Sequence, residues 1–121
     1  MTLDYLIFDY SEDDEGTATW DAMATVRADR WPALEAEVLH VLCWADHQFP
    51  QQRGAIDEGA AWDFDLSTQS EQGADWRVEA DLPARALRYA PLDARDTITL
   101  TLTLSGRGAF ADAFARTFEV E

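Results

Sequence analysis

Apolar side chains occupy both faces of an extended chain over residues 3–10. Leu3, Tyr5 and Ile7 fall on one face, and Leu6, Phe8 and Tyr10 on the other. That pattern predicts a central strand covered on two sides. Residues 11–16 (Ser-Glu-Asp-Asp-Glu-Gly) form an acidic turn that ends in glycine. Over residues 17–26, Trp20, Ala22, Ala24 and Val26 alternate with Thr19, Asp21, Met23 and Thr25. The two strands are therefore expected to form a hairpin.

The period then changes. Trp31, Leu34, Val38, Val41, Leu42, Ala45 and Phe49 recur at helical spacing, which predicts a helix over 30–48. Asp29 is its expected N-cap, Pro32 is tolerated in the first turn, and Pro50 stops it. Residues 51–61 read as a polar loop. Trp62, Phe64 and Leu66 alternate with Asp63, Asp65 and Ser67, a half-buried strand over 62–67. After a turn over 69–75, Trp76, Val78, Ala80 and Leu82 predict a strand over 76–82, paired antiparallel with the previous one. Residues 83–96 are irregular, with one helical turn expected near 84–87.

Residues 97–104 give the strongest strand signal. Ile98, Leu100, Leu102 and Leu104 face one way, and Thr97, Thr99, Thr101 and Thr103 the other. Gly106 and Gly108 break it, and Phe110, Ala113, Phe114 and Thr117 mark a short C-terminal helix. The order ββαβββα, with strands joined by short turns, predicts an α+β fold. It should be a mainly antiparallel sheet of about five strands with both helices on one face.

The chain has 121 residues, 47% of them hydrophobic, with no repeat or linker. It therefore reads as one domain, residues 1–121, with enough apolar surface for a core. Its charge is one-sided: 24 acidic residues against nine basic ones, net −15. All nine are arginine, and the absence of lysine excludes Schiff-base, PLP and Walker-A chemistry. Phosphate backbones and anionic membrane surfaces are repelled, so neither nucleic acid nor membrane is an expected partner. Cationic partners are favoured. Cys43 is the single cysteine, so no disulfide closes within the chain. The N-terminal residues carry no cationic, apolar leader pattern, and a cytoplasmic location is expected.

Several motifs have structural explanations. Residues 106–111 (Gly-Arg-Gly-Ala-Phe-Ala) match a dinucleotide fingerprint after a strand and before a helix. However, no second strand follows to complete a βαβ unit. A small anion site at Arg107 is the residual functional reading, and a glycine turn the structural one. The threonine row fits a solvent-facing strand. Asp63 and Asp65 form either a carboxylate pair or a wet face. Glu12, Asp13, Asp14 and Glu15 lack the spacing of a calcium loop.

One cluster remains. His40, Cys43 and His47 are the only histidines and the only cysteine. At about 100° per residue, Cys43 and His47 lie roughly 60° and 20° from His40. Trp44 shares this stripe, with Glu37 one turn back, opposite the core face through Val38, Ala45 and Phe49. Covered by another element, the stripe is buried within the chain; covered by a protein partner or a second subunit, it is an interface of Trp44, Glu37, His40 and His47, the second subunit giving a homodimer. Completed by an acidic residue from elsewhere, His40, Cys43 and His47 would ligate zinc. Left in solvent, it is a functionless face. The catalytic inventory is thin, which favours a non-catalytic interaction or regulatory module with a protein partner, basic or self. The alternative is a small metal-binding protein or enzyme centred on His40, Cys43 and His47.

Overall fold

The computed structural model describes residues 3–73 and 75–119. Alternation on the central strand organises the fold. Strand β6 (Thr97–Gly106) buries Ile98, Leu100, Leu102 and Leu104 completely. It pairs antiparallel with β2 (Ala18–Arg27) on one side and with β3 (Trp62–Ser70) on the other. A short strand β1 (Asp9–Glu12) adds to the outer edge of β2 through the expected hairpin, giving the order β1-β2-β6-β3. Two helices, α1 (Trp31–Gln48) and α2 (Gly108–Phe118), cover the apolar face. The expected α+β, antiparallel, helix-covered architecture is what forms.

Helix α1 buries Trp31, Leu34, Val38, Val41, Leu42 and Ala45, the predicted core stripe. Its start differs from expectation. A 3-10 turn (Ala28–Arg30) leads into it, and the cap position is Arg30, without a side-chain cap. Asp29 lies within that turn and does not cap the helix. Helix α2 inserts Phe110 and Phe114 beside Trp20 of β2, sets Phe110 against Trp62 of β3, and packs Phe118 on Trp44 of α1. The Phe110 ring stacks on Trp62 at 5.4 Å with 4° between the planes.

Two of the expected strands form differently. Residues 3–8 are not a strand, and the chain joins the sheet only from Asp9, at an edge. The carboxylate of Glu37 on α1 accepts hydrogen bonds from the backbone N–H groups of Asp4, Tyr5 and Leu6 at 2.9–3.1 Å. Those donors are satisfied by a side chain, so no ladder is needed. Leu6 and Phe8 enter the core while Ile7 stays 75% exposed. The apolar run reflects anchorage to the helix layer.

The segment 76–82 does not pair with β3. Its strand is β4 (Glu79–Asp81), which pairs with β5 (Ala86–Arg88) as a separate two-stranded sheet. The order is therefore ββαββββα, and the expected helical turn near 84–87 is a hairpin turn leading into β5. Trp76 is drawn away from the sheet into a cluster with Trp31 and Tyr89, at ring separations of 5.1–5.4 Å. Its indole N–H donates to Ala90 O at 2.8 Å. Asp81 fixes the hairpin by accepting from Ala84 N–H and from Arg88. In the expected turn over 69–75, Ala74 lies outside the described residues.

Where β3 ends and β6 begins, the buried Asp96 carboxylate accepts from the Ser70 hydroxyl and from the N–H groups of Thr97 and Gln72. The Ser70 bond is the leading reason that Asp96 ionises below the ordinary aspartate range. A carboxyl whose folded pKa is depressed stabilises the fold above its unfolded pKa and loses that contribution as pH falls toward the folded value. Asp96→Asn is thus expected to lower the urea midpoint at neutral pH, with the gap from wild type closing below about pH 4. A gap independent of pH would mean that the Asp96 charge plays no part.

Candidate functional site

The face of the sheet opposite the helices is open. β-Strand alternation places Thr19, Asp21, Met23, Thr25 and, at the strand's end, Arg27 of β2 on it, with the threonines of β6 and Asp63, Asp65, Ser67 and Gln69 of β3. Register aligns these residues in rows. One row runs Asp9, Asp21, Thr103, Asp65, the next Met23, Thr101, Ser67, and the next Thr25, Thr99, Gln69. The rows are tied internally: Thr103 donates to Asp21 at 2.6 Å, and the hydroxyls of Thr25 and Thr99 are 2.9 Å apart. Met23 is 67% exposed in the middle. Four aspartates stand on this face: Asp9, Asp21, Asp63 and Asp65. Asp9 lies directly opposite Asp21, an arrangement in which like charges repel.

The helix stripe is divided among three environments. Glu37 is committed to the 4–6 backbone. Trp44 is half-buried among Phe49, Phe110, Phe114 and Phe118, with centroids 5.2–6.3 Å away. Of the covers expected for the stripe, another element or a second subunit, α2 of the same chain supplies one at Trp44. His40 is exposed, its ring 6.1 Å from Phe118. Cys43 and His47 turn the other way, into a cleft of about 410 Å³ with Asp46, Leu82 and Arg85. Arg85 sits there in the left-handed conformation (φ 54°), in a turn closed by its N–H to Leu82 O at 3.0 Å.

Burial pushes the Cys43 thiol up, with Asp46 adding to this and Arg85 opposing it. The thiol is therefore not primed as a thiolate nucleophile. Among the described residues, no group of three or more His, Cys, Asp and Glu side chains is placed to hold a metal ion, so His40, Cys43 and His47 do not converge. None of the described helices is long and apolar enough to cross a membrane.

Comparison with known proteins gives no matching family model, no matching curated protein and no matching solved structure.

The remaining motifs resolve into structural roles. Arg107 donates to the Thr17 hydroxyl at 2.6 Å and lies 3.5 Å from Glu15, tying the start of α2 to the β1–β2 turn. Asp13 accepts from the N–H groups of Glu15 and Thr17, both at 2.9 Å, so the acidic run is a self-capped turn. The Thr17 N–H bond leads the causes that hold the Asp13 carboxyl below the usual range. Asp63 accepts from Phe64 N–H at 2.9 Å and sits 3.8 Å from Arg53. Along the chain, Asp63, Asp65 and the threonine row are unconnected features. Only register, which sets Asp65 and Asp21 on either side of Thr103, joins them.

Proposed function

We propose that this chain is a non-catalytic, cytoplasmic interaction module whose open sheet face docks a cationic surface of a partner protein. The observation that carries the reading is the uncovered face itself. Both helices lie on the other side, and this face offers four aspartates around an exposed methionine. Met23 supplies apolar contact at the centre, and the carboxylates set charge and register at the periphery. The net charge of −15 steers a basic partner from a distance, while the local pattern decides where it docks.

Deca-lysine is a suitable probe, because net charge and local pattern can be separated. The double variant Asp21→Arg/Asp65→Arg reverses charge on the face. Asp57→Arg/Asp112→Arg makes the same change in net charge at exposed positions outside the sheet. At about 0.15 M salt, the face variant is expected to bind about tenfold more weakly than the control variant. Equal loss in the two variants would show that only total charge matters and would overturn the reading.

A further inference from the structure

Strand β3 is the far edge of the sheet, and its backbone shows which groups are unused. Trp62 donates its N–H to Gln52 O at 3.4 Å and accepts from Gly54 N–H at 3.0 Å, on the side away from β6. Alternate residues of a strand aim their backbone groups the same way, and the β3–β6 register runs unbroken from Trp62 to Ser70. The N–H and C=O groups of Phe64, Leu66 and Thr68 therefore also point outward. The Phe64 N–H is already held by Asp63. Among the described residues, Leu66 and Thr68 have no strand on that side. Beside them opens a cleft of about 440 Å³, bounded on its far side by Asp75, Arg77, Val78 and Glu79, with the Arg77 guanidinium held by Asp75 at 3.1 Å. The Thr68 hydroxyl bonds Trp76 O at 2.9 Å and holds that segment next to the strand.

We propose that Leu66 and Thr68 form a strand-addition site for an extended, basic segment of the partner protein, running antiparallel to β3. This deepens the open-face reading and rests on it. In an antiparallel ladder, the residue opposite Leu66 exchanges both hydrogen bonds with it, and its side chain lies on the same face as Leu66. That residue is apolar and lodges toward the cleft, by Leu66 and Val78. Its neighbours along the added strand project to the open face, where Asp65 favours lysine or arginine, Asp63 being already beside Arg53. The site thus reads alternation of apolar and basic residues, with backbone bonds giving affinity and alternate side chains giving selectivity. A second copy of this chain is a poor occupant, because its β3 would bring Asp63 and Asp65 against the same carboxylates.

The test uses the full chain and a capped hexapeptide, Lys-Val-Lys-Val-Lys-Val. Methylating the valine nitrogens removes the donors aimed at β3, whereas methylating the lysine nitrogens removes those aimed away. The valine-methylated peptide is expected to bind about tenfold more weakly than the parent, and the lysine-methylated one within about threefold. Amide exchange at Leu66 and Thr68 should slow when the parent peptide is added. Equal binding of the two methylated peptides without that protection overturns strand addition and leaves open-face docking standing. Strand addition is equally overturned if none of the three peptides binds while deca-lysine still separates the face variant from its control. Protection of these amides that rises with protein concentration alone would assign the edge to a second copy and overturn the proposal. Failure of deca-lysine to separate the two variants would instead reject the open-face reading.

Discussion

Gly106→Ala is expected to destabilise the protein by about 1–3 kcal/mol, and Gly106→Val by more. In most strand interiors the same change is neutral or favourable, because alanine has less freedom to lose on folding and fits an extended backbone. Gly106 is not in the left-handed region, so no backbone strain argues for glycine there. The constraint is its neighbour. A Cβ at this position would stand 2.2 Å from Cδ1 of Phe110 and 3.0 Å from its Cγ. Those are atoms of a ring near its root, not the far end of a flexible chain. Phe110 cannot retreat, because it is fully buried, stacked on Trp62, and contacted by Phe49, Trp44 and Trp20. Urea unfolding checks this: a Gly106→Ala midpoint equal to wild type would show that the ring relaxes freely.

Gly106 also shows how far the sequence can be read. Two glycines after a perfect alternation announce the end of β6, and both helices are legible from their period. That period is a local property and survives whatever packs against it. The first expected strand and the fourth fail because their apolar residues serve something other than a ladder in the main sheet. Leu6 and Phe8 carry an alternation that looks like a strand, yet a carboxylate more than 30 residues away satisfies the backbone beside them. Trp76 alternates correctly with its neighbours and is captured by Trp31 and Tyr89. Long-range capture of this kind leaves no periodic trace.

The candidate sites divide along the same line. His40, Cys43 and His47 are conspicuous by rarity and helical phase. Phase cannot tell which neighbouring element each side chain meets, and here they meet different ones. The open face is invisible as a unit in the sequence, because Asp9, Asp21 and Asp65 are separated by 12 and 44 positions and become one row only through strand order. A strand edge is harder still, since its unused groups are backbone and no residue type marks them.

Phe114→Ala is expected to cost about 3–5 kcal/mol, the range for truncating a large aromatic side chain in a core. For a domain of ordinary stability, about 5–15 kcal/mol, that is a large share of the total. Phe114 is fully buried and touches five aromatic rings: Trp20 at 4.5 Å, Phe118 at 4.9 Å, Phe8 at 5.4 Å, and Trp44 and Phe110 at 6.0 Å. Those rings come from the 3–8 segment, β2, α1 and α2, so no single element can shift to fill the space, and the cavity term is retained in full. The variant also tests what covers Trp44. If α2 is its cover, loosening Phe114 exposes an indole on the outer side of α1. The variant should then associate at high concentration while the wild type does not, because apolar surface returned to water seeks another partner. Urea unfolding and light scattering measure the two effects separately. A loss below about 1 kcal/mol would mean that the aromatic cluster repacks around the gap. A wild type that already associates through Trp44 would mean that α2 does not close the stripe.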